Sequence, residues 1–428
     1  MTKWMAILML PTLLMGQKKQ VFEASDLNYF WTAYDLIVAT TDTIEKQELL
    51  ENLYFNPGTP GLDALREVRR YTTKDYLDAI ANYPKFWASL RAKTQTVETL
   101  YPAIETDIEK LRAAYPALKP ATIYFAMGAF RTNGTVYLDR VLIGAECALA
   151  DRFVVIDELP EWRQPFYRES EPRENLALLC THEYLHIQQK PLVENLLSMC
   201  LYEGVAEFIS CLVTGKKSTV PAIDFGKAHE KEVVDLFVKD LYVMSHNYNW
   251  IWGENRNDFK IRDLGYYIGY EIAERHYAKA SDKTKAIANL IELDYSDEKA
   301  VARLVDDTKL FPEALSKLNA DYESRRPTVV LVEPLMDGNK IKSGKTLLKI
   351  VFSEPLNGTN TGVDFGPLGE SAFPALGVQR KWSDDHKSWT IEADLAPNRH
   401  YQILISNNFR KADQTRLKPY LIDFWTSD

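Results

Sequence analysis

The segment Thr181-His182-Glu183-Tyr184-Leu185-His186 is the most informative part of the sequence. Leucines precede it and Pro191 follows it, so we expect a helix over this stretch. A spacing of four residues puts His182 and His186 on the same helical face, about one turn apart. Two imidazoles so placed can bind one Zn²⁺ ion, and Glu183 beside them can accept a proton from water.

A second segment, Tyr202-Glu203-Gly204-Val205-Ala206-Glu207-Phe208, supplies acidic candidates for the same site. A catalytic zinc site uses three protein ligands, and a glutamate from a following helix can be the third. Glu203 and Glu207 are four residues apart, so both can face the first helix. Whichever is not the ligand can accept a hydrogen bond from a histidine N–H. The small residues Gly204 and Ala206 would let the two helices approach closely.

Together the two motifs, HEYLH and EGVAEF, resemble the gluzincin metallopeptidases. The closer resemblance is to predicted zinc-dependent proteases of bacteria, in which HExxH precedes EGxAE and a GYxxGY-like segment follows. That segment is here Asp263–Tyr270. The resemblance covers roughly 120–310. It implies a zinc ion on His182, His186 and Glu203 with Glu183 as the general base. Glu203 lies 17 positions after His186, closer than in zinc aminopeptidases, so Glu207 stays open as the alternative ligand.

A further group is needed to stabilise the oxyanion that forms during peptide hydrolysis. The candidates are tyrosines of the GYxxGY-like segment, together with His246 and Arg262, and Tyr267 is the residue we predict. The other tyrosines are Tyr266 and Tyr270. The alternative is that this glycine- and tyrosine-rich segment only packs helices together. The remaining histidines have no partner motif and are predicted to be structural or on the surface: His229, His276, His386 and His400.

Composition limits the classes of protein to consider. Of 428 residues, 46% are hydrophobic and 26% charged, as in globular proteins, and the length suggests two or three domains. Because the net charge is −9 and no long basic run occurs, nucleic acid is not an expected partner. Beyond the N-terminus we see no run of membrane-spanning length. The expected partner is a peptide or protein substrate.

The N-terminus predicts export. Lys3 is followed by the apolar stretch Trp4–Met15, too short for a membrane span of about 20 residues, and Gly16 precedes a possible cleavage site. We therefore predict a signal peptide over 1–16 and a periplasmic or extracellular mature protein. The alternative is a buried N-terminal helix. The middle third contains four cysteines, and the sequence does not determine their pairing, except that Cys200 and Cys211 are too far apart on one helix to pair.

Three blocks follow the signal peptide, and the predicted class is α+β. Residues 17–120 form a helical region whose aromatic residues we assign to a core rather than a sugar-binding platform. Residues 121–324 form a mostly helical, zincin-like metallopeptidase core with a small β-hairpin or sheet. In it, strands 121–130 and 135–146 flank an Asn-Gly turn. The strand 135–144 is a candidate edge strand for binding extended substrate, or simply part of a hairpin that shields the core.

The block 327–428 is predicted to be all β. Its short apolar runs, separated by Gly, Asn, Asp and Pro, suggest a small sandwich. Phe352-Ser353-Glu354-Pro355-Leu356 and Ala396–Tyr401 resemble the bacterial Ig-like modules of secreted proteins. This resemblance implies a spacer or a module that binds a protein or surface partner.

These features predict a secreted zinc metallohydrolase, a peptidase in which Glu183 activates water. One alternative is a non-catalytic surface binding protein with a vestigial zinc site and an Ig-like attachment module. Another is a zinc hydrolase that acts on a non-peptide amide.

Overall fold

The computed structural model describes residues 20–252, 259–335 and 339–428. It is 48% helical and 17% strand, which confirms the α+β class. The predicted signal peptide, 1–16, lies outside the described residues. The predicted boundaries at 120 and 327 stay predictions.

The described chain separates into two compact units, each assembled from several segments. The first unit contains 20–193, Ser198–Lys227 and Asp263–Asp297. The second unit contains Glu194–Leu197, Ala228–Arg262 and Glu298–Asp428, without the residues that the structure does not describe.

The helices, numbered along the chain, are α1 (Ser25–Ile37), α2 (Thr43–Leu50), α3 (Pro60–Arg69), α4 (Thr73–Asn82), α5 (Pro84–Thr94), α6 (Tyr101–Ala114), α7 (Ala145–Ala148), α8 (Gln164–Glu169), α9 (Leu176–His186), α10 (Leu196–Thr214), α11 (Pro221–Ala228), α12 (Glu230–Asp240), α13 (Asn247–Trp250), α14 (Leu264–Lys279), α15 (Lys283–Ile291), α16 (Glu298–Thr308) and α17 (Leu315–Ser324). The strands are β1 (Val21–Glu23), β2 (Thr122–Ala126), β3 (Gly134–Tyr137), β4 (Arg140–Gly144), β5 (Val329–Glu333), β6 (Lys340–Lys342), β7 (Gly344–Phe352), β8 (Val363–Asp364), β9 (Ala375–Trp382), β10 (Ser388–Leu395), β11 (His400–Ile405) and β12 (Tyr420–Ser427).

The N-terminal helices pack around aromatic side chains. Trp87 is fully buried and contacts Phe30 and Trp31, with ring centroids 5.1 and 6.4 Å away, and Tyr54 packs edge-on against Phe30. Because these rings are buried, they form a core and offer no flat surface to a sugar, which confirms the prediction.

The sheet of the first unit has the strand order β1-β2-β4-β3. The prediction of a helical region over 17–120 is wrong near its start, since β1 pairs in parallel with β2. Gln20 supports this pairing by donating from Nε2 to the carbonyl oxygen of Ala121 at 2.7 Å. A strand of three residues carries too little periodicity to be seen in the sequence.

The expected hairpin across Asn133-Gly134 is also wrong. The strand at 122–126 pairs in parallel with β4, and the antiparallel hairpin joins β3 to β4. Its turn is at Leu138, which has a φ of 55° and is 73% exposed. An exposed leucine in the left-handed region is an unusual turn residue, whereas Asn-Gly is the common one, and this misled the prediction.

The C-terminal part of the second unit consists of two four-stranded sheets, ordered β5-β7-β10-β9 and β6-β12-β11-β8. Alternate residues of β10 and β11, such as Ile391 and Ile403, are fully buried in one shared apolar cluster. The all-β character predicted from Pro327 onward is therefore confirmed, with the first strand beginning at Val329.

Helix α10 is long and apolar enough, by length and composition, to cross a membrane. The expectation that no later run reaches that length is therefore wrong. Within the described part of the chain, 83% of the helix's apolar window is buried in the protein, as in a core helix. All four cysteines are free and buried.

Candidate metal centre

Two helices of the first unit carry the HExxH and EGxAE residues. Helix α9 ends at His186, earlier than Pro191 requires, and its three motif side chains are buried: His182 is 7% exposed, Glu183 7% and His186 8%. On α10, Glu203 is 5% exposed. Such burial of polar groups is costly unless they are paired or bind a metal.

The two imidazoles and one carboxylate converge on a single point. His182 Nε2 and His186 Nε2 are 3.1 Å apart, and Glu203 Oε2 is 3.4 Å from each of them. Ligands about 2.0–2.1 Å from a tetrahedral zinc ion are separated by about 3.3 Å, the edge of the tetrahedron. The three atoms therefore have the mutual spacing of zinc ligands. Among the residues described, this is the group of His, Cys, Asp and Glu that could hold a metal ion.

Both histidines are oriented by partners on their other ring nitrogen. Glu207 Oε2 lies 2.9 Å from His182 Nδ1, and Gln189 Oε1 lies 2.7 Å from His186 Nδ1. Because Gln189 donates from Nε2 to the Tyr202 carbonyl oxygen at 2.9 Å, its Oε1 must accept from His186. Because Nδ1 is the donor to these partners on both rings, both Nε2 atoms face the convergence point. Each Nε2 can offer a lone pair there once it gives up its proton, as metal ligation requires.

Glu203 and Glu207 thus have different positions. Glu203 faces both Nε2 atoms, whereas Glu207 contacts only the outer nitrogen of His182 and accepts a hydrogen bond from Ser218. The geometry favours Glu203 as the third ligand and Glu207 as the group that orients His182. Sequence reasoning named neither Gln189 nor Ser218. Gln189 carries a weak signal, because it lies three residues after His186, while Ser218 carries none.

The charges of the site depend on one another. Burial opposes ionisation of Glu203, but the charge of His186 and hydrogen bonds from both imidazoles outweigh it and lower the pKa of Glu203. Burial disfavours the charged form of His182, but its hydrogen bonds to Glu203 and Glu207 raise the His182 pKa. Two buried carboxylates thus require positive charge beside them. A divalent cation can supply that charge in place of protons.

Glu183 stands apart from the three ligand candidates. Burial raises the pKa of its carboxyl group, against the charges of His186 and His182. A Cβ added to Gly134 would lie 2.5 Å from Glu183 Oε1, so only glycine lets β3 approach the carboxylate so closely. The predicted edge strand 135–144 is instead two antiparallel strands, β3 and β4, joined by the turn at Leu138. Of the two, β3 is the last described strand of its sheet, and it lies beside the candidate base.

Helix α14 brings Tyr266, rather than Tyr267, to the site. The ring of Tyr266 stacks on His182 with centroids 6.2 Å apart, and burial and the charge of Glu203 raise the pKa of its hydroxyl. The fully buried Tyr267 instead packs its ring against Gly226, where a Cβ would lie 2.1 Å from it. Placing Tyr267 at the site needs correction. Tyr266 and Tyr267 are adjacent in the sequence, and one residue corresponds to a rotation of about 100° around the helix, so their side chains point in different directions.

Glycines in the two helices explain why α14 lies so near. A Cβ on Gly204 would lie 2.2 Å from Tyr270 N, and one on Gly269 would lie 1.8 Å from the Cys200 carbonyl oxygen. Gly204 therefore permits close contact of α10 with α14, not with α9 as expected from the sequence. Tyr270 packs edge-on against Phe208.

Two further candidates for the oxyanion-stabilising group are His246 and Arg262. Both belong to the second unit, where His246 Nδ1 is 2.8 Å from Asp240 Oδ1. His400 Nε2 is likewise 2.7 Å from Asp423 Oδ1.

Comparisons with known proteins identify no family. The sequence matches no protein-family model and no curated protein. A solved structure of the surface layer protein SbsC, domains 1–6, is similar over 63% of this chain at 12% sequence identity, with a TM-score of 0.18. The match spans 42% of that chain. A likeness this low carries no argument about fold or function.

Proposed function

We propose that this chain is a zinc-dependent metallopeptidase. The observation that carries the proposal is the spacing of 3.1–3.4 Å among His182 Nε2, His186 Nε2 and Glu203 Oε2, with Glu183 outside the ligand group. Structural zinc sites have four protein ligands, whereas catalytic sites have three and leave a position for water or substrate. Three converging ligands beside a buried carboxylate are therefore the pattern of a catalytic site.

Each residue has a task in amide hydrolysis. A bound zinc ion supplies Lewis-acid chemistry, which polarises a carbonyl group and makes water more acidic. Glu183, whose pKa is raised by burial, accepts a proton from the attacking water and returns it to the leaving amine. Tyr266 stays protonated, so its hydroxyl can donate a hydrogen bond to the developing oxyanion.

The edge strand supports a peptide as substrate. Among the strands that the structure describes, β3 pairs with β4 alone, and it lies over Glu183. An extended peptide can pair with such an edge through backbone hydrogen bonds. This favours a peptidase over a hydrolase for small, non-peptide amides.

The wider proposal includes the rest of the chain. We assign the first unit to the zincin-like class and the two C-terminal sheets to the Ig-like class, as an attachment module of an exported enzyme. The mixed sheet beside α9 and the shared core of the two C-terminal sheets support these assignments.

The test combines metal analysis with a peptide digest. Full-length protein should contain one zinc per chain and cleave a mixed peptide library, read by mass spectrometry, and a chelator should stop cleavage. Glu183→Gln should keep the zinc and lose turnover, whereas His182→Ala should lose both. Full zinc with no cleavage would contradict the peptidase proposal and favour a binding protein that keeps a zinc site.

A further inference from the structure

Arg69 lies at one end of the edge of β3 that pairs with no described strand. The Gly144 N–H donates to the Asn133 carbonyl oxygen at 3.0 Å, and hydrogen bonding alternates along an antiparallel pair. Gly134 and Val136 therefore turn their backbone N–H and C=O groups away from β4, toward the open edge. The Gly134 carbonyl oxygen already accepts a hydrogen bond from Arg69 Nη2 at 3.3 Å. A peptide added to this edge can pair at Val136 but meets a guanidinium group at Gly134.

Arg69 retains hydrogen-bonding capacity. Besides Gly134, its Nη2 donates to Thr132 Oγ1 at 3.0 Å. Its Nε–H is buried and has no hydrogen-bond partner among the residues that the structure describes. A guanidinium group has five N–H donors in a fork that matches a carboxylate. Glu183 lies against the same residue of β3, since a Cβ on Gly134 would be 2.5 Å from Glu183 Oε1.

Strand direction determines which end of a peptide would reach Arg69. Strand β3 runs from Gly134 to Tyr137. An antiparallel peptide on its edge therefore has its C-terminal end beside Gly134 and its N-terminal end beside Tyr137. Its terminal carboxylate would meet the cation there, whereas a parallel peptide would bring its ammonium group to the same cation. The charge of Arg69 favours the antiparallel direction.

We propose that Arg69 binds the free C-terminal carboxylate of an extended peptide on β3. Glu183 and Arg69 both contact Gly134, so they are separated by less than about 10 Å, and one extended residue spans at most about 3.6 Å. The substrate class is therefore peptides that end one or two residues beyond the scissile bond. This inference rests on the proposed peptidase function and adds its specificity.

The first test measures binding without turnover. The zinc-loaded Glu183→Gln chain is titrated calorimetrically with a hexapeptide that ends in a carboxylate and with the same peptide as its C-terminal amide. We expect the acid to bind about 30-fold more tightly, in the range of charge-assisted hydrogen bonds. Adding Arg69→Gln should reduce this difference to less than about threefold. Arg66→Gln is the matched control, because Arg66 lies on the same helix with its guanidinium over the Phe55 ring. It should keep the difference.

The second test measures cleavage with Glu183 intact. Arg69→Gln should lower kcat/KM for the acid about 30-fold and for the amide less than threefold. Mass spectrometry should locate cleavage within two residues of the C-terminus. Equal cleavage of both peptides, or an equal loss for both in Arg69→Gln, would show that Arg69 only holds β3 in place. If neither peptide is bound or cleaved by fully zinc-loaded protein, the peptidase function itself fails. If cleavage is internal, only the specificity fails.

Discussion

The two units differ in what their cores contain. Among the described residues, every buried carboxylate or imidazole lies in the first unit, whereas the buried polar residues of the C-terminal sheets are neutral, such as Gln402 and Thr426. Burying a charge lowers stability unless a partner compensates. The core between the C-terminal sheets therefore stabilises the fold without buried charges. The first unit contains buried carboxylates and imidazoles, and a contribution to stability alone does not explain them.

Buried carboxylates within the first unit also differ from one another. Glu146 accepts hydrogen bonds from the backbone N–H groups of Gly128 and Phe130, at 2.8 Å each. Glu203 instead faces two imidazoles. A carboxylate that accepts hydrogen bonds from backbone N–H groups holds a loop in place. A carboxylate that faces the ring nitrogens of two histidines is positioned to bind a cation together with them. The partners of each carboxylate thus distinguish the structural role of Glu146 from the ligand role that we propose for Glu203.

The largest expected effect is the difference in zinc affinity between substitutions of Glu203 and of Glu146. Glu203→Ala should weaken zinc binding by more than about 1,000-fold, because it removes a direct ligand. Glu146→Ala should keep zinc and lower the free energy of unfolding by about 1–3 kcal/mol, because two buried N–H groups lose their acceptor. Zinc titration and chemical denaturation of both variants measure the contrast. Equal zinc affinity in the two variants would contradict it.

A substitution in the apolar core should affect stability and not zinc. Ile391 is fully buried between the C-terminal sheets, so Ile391→Ala should lower the free energy of unfolding by about 2–5 kcal/mol. Zinc content at 10 °C should stay at one per chain. Loss of zinc from the folded variant would mean that the metal centre depends on the second core.

Glu207→Gln should have a smaller effect than the loss of Glu203. The amide can still accept from His182 Nδ1 but no longer brings a charge, so zinc affinity should fall about 10–100-fold. Competition with a chromogenic chelator measures it. An effect as large as that of Glu203→Ala would make Glu207 the third ligand.

The smallest expected effect is the labelling of the four cysteine thiols in the native protein. Burial raises the pKa of all four thiols, and for Cys211 the charge of Glu207 adds to this. Because the thiolate is the reactive form, we expect almost no labelling by a maleimide until the protein is unfolded, and then four labels per chain. Fewer than four labels in unfolded, unreduced protein would reveal a disulfide.

The sequence could predict the features that depend on local patterns, and not those that depend on how distant segments pack. Helical spacing places His182 and His186 on one face from local information alone, and it places Glu203 and Glu207 together on another helix. The preference for Glu203 over Glu207 comes only from the resemblance of the EGxAE motif. Tyr266 and Arg69 depend on how α14 and α3 pack, which no local pattern encodes. Similarly, the pairing of β2 with β4 in parallel depends on residues far apart in the chain.

X-ray absorption at the zinc edge tests the central claim most directly. We predict two nitrogen ligands and one carboxylate oxygen at about 2.0–2.1 Å, with the remaining coordination supplied by solvent. The spectrum of Glu207→Gln should show the same protein ligands. A sulfur shell at about 2.3 Å, or a spectrum unchanged by His186→Ala, would place the metal elsewhere and contradict the account.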